Sequence, residues 1–220
     1  MERKLVVITG YGPGLGEALK HRYQQSGYTV VGVARRGGDY QADTTRAEEV
    51  SAVFETIREE HGSPEIVIHN VATLSRGSFN DISAEEFEAT WRASTLSAFN
   101  VAQTVLPSME RNHKGTLIFT GATASVKGGK GFSPFSSAKF ALRGLAQSLA
   151  REYQPSGVHI AHVVLDGIIW SDVSLKRFPN LKIENALIPK DIAEAYFQLS
   201  QQPRSTWSHE IDLRPYSESF

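Results

Sequence analysis

Three glycines in the stretch TGYGPGLG, Gly10, Gly14 and Gly16, have the spacing G-x-x-x-G-x-G. The stretch follows a β-branched run, KLVVIT, and opens a helical pattern, GLGEALKHRYQQSG. Glycine at such a turn lets backbone N–H groups approach a pyrophosphate seated on the positive end of the helix. A strand-to-helix turn also needs glycine for steric reasons alone. Placement between strand and amphipathic helix favours the nucleotide reading. A second reactive group is the amine of Lys139, in GFSPFSSAKFALRGLAQSLARE. Ala138, Leu142, Leu145, Leu149 and Tyr153 recur beside it at helical spacing, so the lysine borders an apolar face. His69 and His162 lie in strand-like runs and read as packed structural histidines. The sequence has no H-E-x-x-H, no zinc-ligand spacing, no G-x-S-x-G and no cysteine, so neither a metal site nor thiolate chemistry is expected.

Positioning these groups requires alternating elements. YTVVGVA, EIVIHN, GTLIFTG, GVHIAHVVLDG and HEIDLRP read as further strands. Between them lie helical stretches: TRAEEVSAVFETIREEHG, SAEEFEATWRASTLSAFNVAQTVLPSMERN and the Lys139 helix. Thr45 with Glu48, and Ser83 with Glu86, have capping-box spacing. The alternation predicts a doubly wound α/β fold of the Rossmann type, three-layer αβα, with a mainly parallel sheet of about seven strands. No repeat or linker divides the chain, so residues 1–220 read as one dinucleotide-binding domain.

The glycine spacing and the Lys139 helix together resemble the short-chain dehydrogenase/reductase family, over nearly the whole sequence. QADTTR is similar to the segment in which the family's acidic residue meets adenine, here Asp43 with Thr44 beside it. HNVA stands where the family has N-N-A-G and sets Asn70 and Ala72 by the cofactor. TVLPSM looks like the family's L-P-x-M. LDGIIWS is similar to P-G-x-x-x-T, placing Gly167, Ile169 and Ser171 near the nicotinamide, with Asp166 in place of proline. The resemblance assigns Thr9, Gly10, Gly14, Leu15 and Gly16 to the cofactor as well. Arg35 and Arg36 follow the second strand, where an acid would select NAD and a cation the extra phosphate of NADP. NADP is therefore expected, with NAD possible and two solvated arginines as the alternative reading. From Arg35 to Asp43 there is no room for the helix that relatives carry there, so the adenine-side wall should be thinner.

The resemblance also exposes what is missing. Relatives use a tyrosine as general acid, a lysine at i+4, a serine thirteen residues before the tyrosine and an asparagine in the long helix. Lys139 is retained and would touch the cofactor ribose. Phe135 stands at the tyrosine position, Ala122 at the serine and Ser94 at the asparagine. A phenyl ring has no proton to give. Thr120, Thr123 and Ser125 are the nearest alternative hydroxyls, and Ser133, Ser136 and Ser137 should point away from Phe135's direction. Two functions stay open. One is an NADP(H)-dependent oxidoreductase acting on a small carbonyl or alcohol through a degenerate site. The other is a catalytically silent NADP(H)-binding sensor or partner subunit.

Composition bounds the rest. Across 220 residues, 23 basic and 24 acidic side chains leave a net charge of −1, which argues against nucleic acid or an anionic membrane as partner. The apolar run near the N-terminus is too short for a signal or a span, and a cytoplasmic chain is expected. By the resemblance, the long helix and the Lys139 helix would join subunits into a homodimer or homotetramer. The segment from Asp172 to Pro189 is short for a substrate lid, and Trp170 could reach substrate or anchor its loop.

Overall fold

The computed structural model describes residues 4–217. A seven-stranded sheet runs in the order β3-β2-β1-β4-β5-β6-β9. Its strands are β1 Leu5–Thr9, β2 Thr29–Ala34, β3 Tyr40–Gln41, β4 Ile66–His69, β5 Gly115–Thr120, β6 Val158–Leu165 and β9 Glu210–Leu213, and every neighbouring pair is parallel. Strand order reverses between β1 and β4, the point at which doubly wound sheets open a crevice at their carboxyl ends.

The strands read as continuous apolar runs because both faces are covered. On β1, Leu5 and Val7 join one core while Val6 and Ile8 join the other. The first core takes Val50, Phe54 and Ile57 from α2 (Ala47–His61), Val101 and Leu106 from α4 (Ser97–Arg111), and Leu142 and Ala146 from α5 (Ser133–Tyr153). The second takes Leu15 and Leu19 from α1 (Leu15–Gln25) and Ile192 and Tyr196 from α7 (Pro189–Ser200). Full burial of each such Val, Leu, Ile or Phe side chain contributes roughly 1.5–3 kcal/mol. The buried line of α5 runs through Lys139, Leu142, Ala146 and Ala150, so Leu145, Leu149 and Tyr153 form its half-buried flank instead of its centre.

Two local features depart from the sequence-based expectations. The long helix is two helices, α3 (Ala84–Trp91) and α4, joined by a π-helical turn over Arg92–Leu96. The widened turn brings Ser94, Thr95 and Ser97 inward together, with Thr95 donating to the Ala138 carbonyl at 2.8 Å. Ser83 does cap α3, accepting from the Glu86 N–H at 3.1 Å. Thr45, however, does not cap α2: Asp43 accepts from both its N–H (3.0 Å) and its hydroxyl (2.8 Å), and Glu49 reaches back to the Asp43 N–H.

The β2–β3 connection carries no helix, as its length requires. Instead Asp39 turns onto the open edge of β2, accepting the Gly32 N–H at 2.6 Å and the Lys20 ammonium at 2.7 Å. Burial pushes the Asp39 carboxyl up, but these bonds outweigh it and hold it below the usual range. The segment after β6 is pinned by a small parallel ladder, β7 (Ile168–Ile169) on β8 (Ala186–Leu187), with α6 (Asp172–Arg177) between.

Candidate functional site

The first crossover turn fits a phosphate cradle. Gly10 has φ +73°, and a Cβ on it would sit 2.6 Å from the Asn70 carbonyl oxygen. Gly14, at the N-terminus of α1, has φ +92°. Only glycine meets both conditions without strain. Tyr11 packs against Gly32, where a Cβ would clash with its ring, and the Lys20 ammonium stands 5.3 Å from that ring's centre.

Across β4, β5 and β6 the register aligns His69, Phe119 and His162 in one row. Lys139 comes down from α5 onto this row, is 1% exposed, and donates to the Thr120 carbonyl at 2.8 Å. Burial lowers its pKa to about 8. His69 is enclosed between the Thr9 and Ser97 hydroxyls, at 2.9 and 3.1 Å. Desolvation, then the Lys139 charge, lower it to about 3. His162 contacts Glu210 through Nδ1 at 2.9 Å, and Glu210 pairs with Arg143. Desolvation is the main cause of its low pKa, about 4, against the opposing pull of Glu210. Both histidines are buried and packed, and neutral at pH 7. Lys139 is the one cation of the row.

Two clefts open above the sheet and share Asn70, Val71 and Ala72. The first, about 760 Å³, is lined by Phe135, Lys139, Ala122, Gly167, Ile169 and Ser171 among others. The second, about 840 Å³, is lined by Gly10, Arg35, Arg36, Asp43 and Thr44. Thr9, Gly14, Leu15, Gly16 and Ser94 line neither. Thr9 is taken up by His69, Leu15 points into the second core, and Ser94 is fully buried with its hydroxyl unpartnered. Desolvation opposes ionisation of Asp43, yet the two Thr45 bonds and the Arg35 charge hold it below the usual range.

Around Ala122 each hydroxyl has a hydrogen-bond partner, though only Thr123 uses its own proton. Thr120 accepts from the buried Tyr196 hydroxyl at 3.0 Å, Ser125 accepts from the Ala122 N–H at 3.1 Å, and Thr123 donates to Asp166 at 2.6 Å. Phe135 is half-buried with its ring centre 5.8 Å from the Lys139 ammonium. Ser136 corrects the helical-wheel expectation. It lines the same cleft as Phe135 and Lys139, because the α5 face turned to the cleft is broad enough for i and i+1 together. Its hydroxyl is buried without a hydrogen-bond partner, so it makes no bond to Lys139. Sequence reasoning missed Arg76, Lys127, Arg177 and Phe178, which also line this cleft, and had only their side-chain types to find them by.

A Rossmann-type sheet with a glycine turn and a buried helical lysine defines a dinucleotide-fold oxidoreductase class. Residues 4–180 match the sequence profile of the short chain dehydrogenase family, and the chain belongs to that family. A solved short-chain dehydrogenase from Rhodopseudomonas palustris is 30% identical, with TM-score 0.83 over 97% of this chain and 99% of that one. The 3-oxoacyl-[acyl-carrier-protein] reductase MabA of Mycobacterium tuberculosis is 29% identical over 77% of this chain and 70% of its own. A tyrosine-to-phenylalanine variant of ElxO with NADPH bound has TM-score 0.86 at 20% identity, covering 96% of each chain. Among the described residues no group of three acidic, histidine or cysteine side chains could hold a metal, and no helix is long and apolar enough to cross a membrane.

Proposed function

We propose that the chain, as one dinucleotide-binding unit, holds NADP(H) across the two clefts and transfers hydride to or from a small carbonyl or alcohol without a side-chain general acid. The observation that carries this reading is Lys139, buried at the floor of the first cleft beside a phenyl ring. Bound NADPH would supply the hydride. Asn70 and Ala72 border both halves of the groove, and Gly10 removes the side chain that would close it. Arg35 and Arg36 line the other end and form no salt bridge among the described residues, which suits the extra phosphate of NADP. Lys139 would present its ammonium to the ribose. Water would bring the proton, because Phe135 has none to give and Thr123 spends its own on Asp166.

Those same commitments favour a second reading, a silent NADP(H)-binding sensor or partner subunit. The phenylalanine variant of ElxO with NADPH bound supports binding without the phenol in that protein. Exposed aromatics on α3, α4 and α5 suit a homodimer or homotetramer in either case, and a cytoplasmic chain is consistent with both.

The experiment is an NADPH titration by fluorescence, then NADPH oxidation against a panel of ketones and aldehydes. Slow turnover that vanishes in Lys139→Ala supports the enzyme; binding without turnover supports the silent module. In either case Phe135→Tyr with Ala122→Ser should raise turnover by about 10²–10⁴, the usual worth of a placed general acid. Failure to bind either dinucleotide overturns both readings.

A further inference from the structure

The first cleft has a charge pattern that the chain as a whole does not. The chain carries 23 basic and 24 acidic residues, yet four cations and a single carboxylate line this cleft. The carboxylate, Asp166, is already partnered: it accepts from Thr123 at 2.6 Å and shares Arg214, at 3.3 Å, with Asp212. Lys139 is committed to the Thr120 carbonyl at the floor. The other three, Arg76, Lys127 and Arg177, are exposed and form no salt bridge among the described residues. They come from three separate segments, the loop after β4, the turn after β5 and the end of α6, and converge on one opening. Arg76 lies 5.9 Å from the ring centre of Phe178, so the contact joins two walls of the opening. Beside them the same cleft has an apolar lining, with Leu74, Phe132, Ile168 and Val173. Arg35 and Arg36 belong to the other cleft, so the dinucleotide's extra phosphate does not account for this second set of cations.

Cations at a concave mouth attract an anion and raise its local concentration, and arginine pairs with carboxylate through two parallel hydrogen bonds. We propose that the small-molecule occupant of this cleft is an apolar carbonyl or hydroxy compound bearing a carboxylate, its body against Leu74, Phe132 and Ile168 and its charge on Lys127 and Arg177. The proposal rests on the reading of this cleft as the substrate side of the dinucleotide site.

The test uses benzoylpropionate and its methyl ester, which share a skeleton and differ by one charge. Each is titrated calorimetrically into the protein saturated with NADP⁺, which forms a dead-end complex with a ketone and so needs no turnover. The acid should bind at least about tenfold more tightly than the ester, the scale of one charge-assisted contact. Raised salt should shrink the gap, and Lys127→Glu with Arg177→Glu should abolish or reverse it. Equal affinities, a tighter ester, no binding of either, or a preference that survives the double reversal would overturn the proposal. Affinity for NADP⁺ is measured alone on the same sample. If it is absent, the cofactor reading fails, and the acid–ester comparison in the free protein still decides this one.

Discussion

Lys139 combines a charge with nearly complete burial, and its pH behaviour follows from that. The unfolded chain holds the lysine proton up to about 10.5, whereas the fold gives it up near 8 because burial disfavours the ammonium. Between those values the unfolded state binds more protons, so the free protein should gain stability as pH rises through that window. NADPH affinity should move the opposite way if the ammonium serves the ribose: level below about pH 8, then weakening by up to about tenfold per unit as the charge is lost. Lys139→Met should remove both trends. Thermal melts and NADPH titrations from pH 7 to about 10 check this, and a wild-type affinity that stays flat would refute the ammonium's role. The neighbouring imidazoles do not confuse the readout, since His69 and His162 lose their protons near 3 and 4. Phe135 flanks the lysine at 5.8 Å with a ring that has no proton to give.

Between elements, the Asp39 clasp replaces a missing helix. A two-residue β3 leaves the Gly32 N–H on an open edge, and the carboxylate both satisfies it and ties α1 in through Lys20. Asp39→Ala should cost about 1 kcal/mol, the lower end for an orphaned donor, because the site is partly solvated. The carboxyl's pKa is depressed, so its contribution is full above the ordinary aspartate range and is lost as pH falls through the folded value. Melts of wild type and variant should therefore converge in acid, and a difference that persists there would assign the loss to packing. The clasp could not be read from the sequence, because nothing local marks a side chain that returns to a strand seven residues back. The alternation of strands and helices was legible, since β-branched runs and the glycine turn are local signals. The π-helical turn was not: one extra residue between α3 and α4 is selected by Thr95 meeting Ala138 and Ser97 meeting His69, both distant in sequence. Lys139 and Phe135, which both line the first cleft, stand out in sequence because they share one helix at i and i+4. Arg76, Lys127 and Arg177 were passed over because only the folded loops bring them to one cleft.

At the scale of the molecule, a group of exposed aromatics that lines neither cleft bears on the prediction of self-association. Phe87 and Trp91 on α3, Phe99 on α4 and Phe140 on α5 are each about 40% exposed, and α3 packs directly against α5. Large aromatics grouped on neighbouring helices are uncommon on a monomer's surface and suit a self-complementary contact. A net charge of −1 offers little repulsion between copies. A stable two-fold interface needs roughly 800 Å² from each partner, which the exposed faces of paired helices can provide. Sedimentation of the wild type should therefore give a dimer or tetramer, and Trp91→Glu with Phe140→Glu should shift it toward monomer by placing carboxylates in the centre of the contact. Neither side chain lines a cleft, so NADPH titration of the monomerised variant separates assembly from cofactor binding. If the wild type sediments as a monomer at micromolar concentration, these aromatics serve some other partner and the self-association reading fails.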